Sequence, residues 1–310
     1  MKNSFNALIN KVVNAAALKW NNYYTVERLY TESRRKLYNT PSWRFGNERI
    51  HEVSAENYSY LSKFSSIVGK SYMEMGAGKH HPLGNSAVMF INGASKTFAF
   101  DIQRTEESRA AEALFDLLSE CAVNPSYWHM SEISRDEYLN NIYKFNIAAL
   151  KKGDLQKGLN NLPLKHIVGD IHKNILENNS VDLMSSRAVL EHFLDFPKAA
   201  EQLYRVMAPG GLAFHRIDFV DHRAYTHPKK YHFWSFLAED DDWTDNLCNR
   251  LRFSEIKQYL EKAGFELPVF EPMIQQMPQG FRKQLKGRFK NMSDEELNKI
   301  GVLCVIKKPA

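Results

Sequence analysis

A chain of 310 residues with 44% hydrophobic and 25% charged residues has the make-up of an ordinary globular protein, long enough for one large α/β domain with elaborations. No apolar run approaches the roughly 18 residues needed to cross a bilayer, and residues 1–6 lead into no secretory core, so a cytoplasmic protein without a transmembrane segment is expected. The net charge of +5 is dispersed except for a basic run over residues 281–290, read as a solvated face rather than a polyanion site, and Cys121, Cys248 and Cys304 lack the spacing of a disulfide framework or a zinc site.

Residues 1–68 differ in pattern from the remainder of the chain. Leu8, Ile9, Val12, Val13 and Ala16 recur at helical spacing, and aromatic residues from Trp20 to Phe45 come after them irregularly. This predicts a helical and aromatic cap. Lys2, Lys11 and Lys19 mark its polar face, but core packing is expected of that helix rather than peripheral membrane contact. From Gly69 the pattern alternates regularly between strand and helix. Strands are predicted over residues 71–75, 97–102, 164–171, 181–186, 211–215, 267–270 and 302–306. Helices are predicted around residues 110–121 and over 188–206, the latter stopped by Pro209-Gly210-Gly211. Such alternation implies a mostly parallel sheet covered on both faces, with ligands at the carboxyl ends of its strands.

Those ends carry the chemistry. The first strand runs into Glu74-x-Gly76-x-Gly78, where glycine permits positive φ and close approach of a ligand. Asp101 ends the second strand, placed to accept the hydroxyl protons of a ribose. A nicotinamide dinucleotide would want a third glycine and a helix N-terminus for its pyrophosphate. Here His81 and Pro82 stand instead, and the Pro-interrupted loop is expected to offer neither. Two glycines in a tight turn with no ligand at all is the plainer alternative.

The stretch resembles motif I of the class I S-adenosylmethionine-dependent methyltransferases, and residues 69–308 extend the likeness. Asp170 matches the acid that meets the adenine amino group, with Ile171 or Ile102 packing on the ring. Ser186 and the helix after it, with the Pro209-Gly210-Gly211 entry to strand five, are similar to the same family. Residues 249–265 are similar to the last helix before strand six in a subset often associated with surface-polysaccharide biosynthesis. The resemblance implies an α/β, doubly wound, seven-stranded, mostly parallel Rossmann-like sheet over residues 69–310, with the cap over 1–68 and an acceptor-side insertion over 219–247. It implies S-adenosylmethionine as cofactor, bound by Glu74, Gly76, Gly78, Asp101, Ile102, Asp170, Ile171 and Ser186.

The acceptor is read from what is present and what is missing. No (D/N)PP(Y/F) tetrapeptide stands after strand four and no Pro-Cys nucleophile occurs, which demotes nucleobases and favours an oxygen acceptor. A sugar, nucleotide-sugar, glycan or other small intermediate is expected, with nucleic acid disfavoured. Methyl transfer needs alignment and one base. His215 is the first candidate, Asp218 its orienter or a ligand to the acceptor hydroxyl, and His222 the second base. A structural histidine at a strand end is the alternative for His215. Arg216 and Arg223 suit either an anionic acceptor or surface salt bridges. Glu191-His192 resembles a metal-binding pair of some relatives, but Ala188 stands where they have a further glutamate, so no metal site is expected although a divalent ion is conceivable. Trp234 and Trp243 in the insertion suit either carbohydrate stacking or a hydrophobic lid core. The rival functions are an RNA 2′-O-methyltransferase resting on the basic run, and a noncatalytic S-adenosylmethionine-binding regulatory module.

Overall fold

The computed structural model describes residues 46–173, 175–240 and 248–310. The predicted first helix, the aromatic residues up to Phe45, and Asp241, Asp242 and Trp243 lie outside the described residues. Seven strands, β1 (Ser71–Met75), β2 (Lys96–Asp101), β3 (Leu164–Val168), β4 (Val181–Arg187), β5 (Met207–Asp218), β6 (Glu266–Ile274) and β7 (Lys299–Lys307), form one sheet in the order β3-β2-β1-β4-β5-β7-β6. The helices include α1 (Asn47–Leu61), α2 (Gly84–Ile91), α3 (Glu107–Val123), α4 (Phe196–Val206) and α5 (Phe253–Lys262). This is the doubly wound, Rossmann-like arrangement that the β/α alternation predicts. The strand order turns at β1 and β4, the switch point where such sheets bind ligands.

By its contacts the chain divides into two compact units. Among the described residues the first comprises 46–58, Ile67–Lys70 and Ala77–Ile167. Its core is built on α2 and α3, where Val88, Ile91, Leu114, Leu117 and Leu118 are buried with Trp128, Tyr138 and Ile142. The Ser86 hydroxyl donates to the Phe98 carbonyl at 2.9 Å and ties α2 to β2. All eight residues of α2 are buried, so it shows no polar face. The segment after Pro82 is in fact helical from Gly84, which corrects the reading of 79–82 as leading to no helix.

The second unit comprises Ser59–Ser66, Ser71–Gly76 and Val168–Ala310. β4 pairs in parallel with β1 and with β5, while β7 runs antiparallel to β5 and β6. β6 ends the order and carries Pro268 and Pro272. Several element boundaries differ from those predicted: β3 ends at Val168 rather than at 171, with Ile171–Lys173 a 3₁₀ turn, and β6 and β7 are longer than expected. β5 begins at Met207 and ends at Asp218, so Pro209 and Gly210 lie inside a long strand and Asp218 is its last residue. The helix predicted over 188–206 begins only at Phe196; before it Ala188 is left-handed (φ 53°) and Leu190–His192 is a single 3₁₀ turn. The physical cause is local: the Asp195 side chain caps Lys198 N–H, and Pro197 sits in the first helical turn, where its missing amide costs nothing.

The insertion and the basic run share one core. Trp234, Phe236 and Leu237 pack with Phe281, Leu285, Phe289 and Leu297, and the Trp234 indole donates to the Leu297 carbonyl at 2.7 Å. Trp234 is therefore a buried lid residue rather than an exposed stacking platform. Three of the five cations of the run are partnered: Arg282 with Asp294 at 2.8 Å, Lys286 with Asp240 at 3.0 Å, and Arg288 with Glu255.

Arg252 fastens this region. Its fully buried guanidinium donates to the carbonyls of Phe219 (2.7 Å), Leu297 (3.2 Å) and Lys299 (2.6 Å), and burial pulls its pKa down to about 10. Replacing it with methionine is expected to lower the unfolding free energy by about 3 kcal/mol, the loss of charge-assisted bonds less the regained desolvation. Urea titration measures this; a change below about 0.5 kcal/mol, the size of an ordinary surface substitution, would show that the carbonyls find other donors.

Candidate active site

In the first unit the glycine turn and the tip of β2 are joined through one carboxylate. Gly78 (φ 73°) donates its N–H to Asp101 Oδ2 at 2.7 Å, and Gln103 N–H reaches Asp101 Oδ1 at 2.7 Å. Ala77 N–H bonds the Phe100 carbonyl at 3.2 Å. Both oxygens of Asp101 thus hold the backbone of the turn, and an ionised carboxylate keeps further lone pairs for two hydroxyls. A Cβ built on Gly78 meets nothing within 4 Å, so its conformation and not crowding calls for glycine. Ile102, next in the chain, is 71% exposed, which leaves an apolar face open to a planar ligand.

In the second unit Glu74 is buried on β1 opposite Ser185, and Gly76 comes after the strand with φ 74°. Here glycine is needed twice over, because a Cβ would lie 2.1 Å from Val189 Cγ2. Asp170 stands just beyond β3, accepting from the His172 amide and ring Nδ1, both at 2.9 Å, and these bonds lower its pKa. Ile171 is buried, so of the two isoleucines only Ile102 presents surface. Ser186 and His215 are neighbours across β4 and β5, with the Ser186 hydroxyl 2.7 Å from His215 Nδ1. His215 is fully buried, burial lowers its pKa to about 3, and its Nε2 has no hydrogen-bond partner among the described residues. It is a neutral imidazole inside the sheet.

The end of β5 gathers different groups. Glu191, on the 3₁₀ turn after β4, is only 2% exposed, and neither of its carboxylate oxygens has a hydrogen-bond partner among the described residues. Ligand atoms of Glu191, Asp218 and His222 lie within 4.8 Å of one another. His222 Nε2 stands 3.6 Å from Glu191 Oε1, just beyond bonding distance. The Tyr225 hydroxyl donates to Asp218 Oδ2 at 3.3 Å. His192 meets the His222 ring edge to face at 4.9 Å. Asn249 fixes the turn, donating its side chain to the carbonyls of Leu190 and Phe193 and its amide to that of Glu191.

The electrostatics are set by burial. Desolvation, then the neighbouring Asp218, raises the Glu191 pKa well above its ordinary value. Desolvation, then His192, lowers that of His222, with Asp218 and Asp221 opposing. Burial thus favours the neutral form of both neighbours, the acid Glu191 and the imidazole of His222. Arg223, a candidate anion ligand by sequence, is occupied by Asp221 (2.7 Å) and Glu239 (3.2 Å). Sequence puts His222 and Asp218 close together along the chain and Glu191 on the pocket wall; the place of Glu191 beside them depends on the non-helical turn at 188–195.

The fold is the seven-stranded, mostly parallel Rossmann-like arrangement of the methyltransferases. The family model described as a methyltransferase domain matches residues 43–268, more than half of the chain, and the chain belongs to that family. Membership carries the general activity, methyl transfer from S-adenosylmethionine. No curated protein matches the sequence. Among solved structures, the chain is similar to an S-adenosylmethionine-dependent methyltransferase from Methanosarcina mazei, with 15% identity over 81% of this chain and 98% of that one at a TM-score of 0.44. One from Mesorhizobium loti shares 12% identity over 81% and 96% at a TM-score of 0.41. The [4+2]-cyclase SpnF shares 15% identity over 87% and 84% at a TM-score of 0.47. Among the described residues no helix is long and apolar enough to cross a membrane.

Proposed function

We propose that this protein transfers a methyl group from S-adenosylmethionine to a hydroxyl of a sugar, nucleotide-sugar or other small biosynthetic intermediate. The observation that carries the acceptor side is the gathering of Asp218 and His222 around the buried Glu191. In this reading Asp101 receives the ribose, Gly76 and Gly78 let the methionine part approach, Ile102 packs on the adenine, and Glu74, Asp170 and Ser186 are further cofactor ligands. His222 takes the acceptor proton as the new carbon–oxygen bond forms and the carbon–sulfur bond breaks, leaving S-adenosylhomocysteine. Asp218, steadied by Tyr225, stabilises the imidazolium that results. The base role passes from His215 to His222 because a fully buried imidazole has no access to an acceptor.

Glu191, Asp218 and His222 are also of the types that ligate divalent cations. We read them as proton-handling groups, since Ala188 stands where the resemblance places a further carboxylate. Full activity after chelator treatment is the expected result, and activity lost and then restored by Mg²⁺ would assign the cluster to a cation. The RNA reading is weakened, because Arg282, Lys286 and Arg288, three of the five cations of the basic run, are each paired with a carboxylate. Radiolabelled methyl transfer screened across nucleotide sugars, free sugars and a structured RNA tests the proposal. Label in the RNA alone would overturn the acceptor class.

A further inference from the structure

The first unit holds a cavity of about 260 Å³ whose lining residues take no part in the proposed methyl transfer. Its walls include His51, Ser54, Tyr58, Tyr127, Trp128 and Met130. The rings are arranged as a corner: His51 stacks on Tyr127 at 3.5 Å between centroids, and Trp128 meets both edge-on, at 5.1 and 5.6 Å. The pair is locked, since His51 Nε2 lies 2.8 Å from the Tyr127 carbonyl, and Tyr58 donates to the Met130 carbonyl at 2.9 Å. A cavity of this size, just below the usual range for small-molecule sites, is lined by aromatic side chains of which His51 and Tyr127 are stacked on each other.

Two further features select a ligand. The Trp128 indole is 2% exposed, and its Nε1 has no hydrogen-bond partner among the described residues. A buried donor of that kind wants an acceptor atom. Carboxylates act on both phenols: after burial, Glu132 raises the Tyr58 pKa to about 12, and Glu120 and Glu48 raise that of Tyr127.

We propose that this cavity binds a small organic ammonium ion carrying an oxygen acceptor, the cation against the faces of Tyr127 and Tyr58 and the oxygen on Trp128 Nε1. Aromatic faces attract such cations through the ring quadrupole, and neighbouring carboxylates add to the attraction. A neutral molecule of the same shape gains neither. Choline is the probe, measured by calorimetry on the full chain against its neutral isostere, in which a quaternary carbon replaces the nitrogen. Choline is expected to bind saturably and the isostere at least about tenfold more weakly. Tyr127, about half exposed, can be changed without opening the core: Tyr127→Leu is expected to weaken choline about fivefold. Trp128→Phe keeps a ring and removes the donor, and is expected to weaken choline while sparing tetramethylammonium, which has no oxygen. Equal binding of choline and the isostere, unchanged affinity in Tyr127→Leu, or no saturable binding of either would overturn the proposal.

Discussion

Replacing Asp101 with alanine is expected to lower affinity for S-adenosylhomocysteine by at least about 100-fold, near 2.7 kcal/mol. Two effects combine. The carboxylate accepts the Gly78 and Gln103 amides at 2.7 Å each, so its removal frees the glycine turn as well as the ribose hydroxyls. Hydrogen bonds to an ionised acceptor are worth about 1.5–3 kcal/mol each, which makes losing several of them enough for that figure. Asp101→Asn keeps the shape and one acceptor and should fall between wild type and alanine. Calorimetry decides; an alanine variant that binds as tightly as wild type would remove Asp101 from the cofactor site.

His222→Asn is expected to reduce kcat for methyl transfer by about 10²–10⁴, the usual contribution of a positioned base, with cofactor affinity within about twofold of wild type. The pH dependence gives a second readout. A base works unprotonated, and burial with His192 beside it lowers the His222 pKa below its ordinary 6.5. The wild-type rate should therefore stay level as pH falls through about 6.5 and decline only below it. A rate that halves at or above about 6.5 would mean that a different group carries the proton. His215→Asn offers the contrast: its imidazole is buried against Ser186, so any loss there should track stability rather than the acid limb.

Much of the sheet is legible in the sequence because each strand is a short apolar or alternating run bounded by glycine, proline or a charged residue. The glycine turn and Asp101 are legible for a related reason, since both are demanded by backbone conformation at a strand end. Elsewhere mixed signals hide the structure. Residues 188–206 carry a continuous helical stripe, Leu190, Phe193, Phe196, Ala200 and Leu203, yet Asp195 and Pro197 set the true start at Phe196. Giving the capping pair more weight than the stripe frees Glu191 from the helix and suggests its place beside His222. Phe281, Leu285 and Phe289 recur every four residues within the basic run, and that spacing already marks a buried face beneath the charges. His215 misleads because histidine chemistry is legible in sequence and burial is not.

The outer strand β6 has a bearing on company the protein can keep. Pro268 and Pro272 each lack an amide proton, so the rim at that side of the sheet offers a broken row of donors to any extended peptide. Recruitment of a second chain by strand addition is poorly served there. Partners or copies that meet this rim are left to bind through side chains, and the sheet is protected from growing end over end into fibrils.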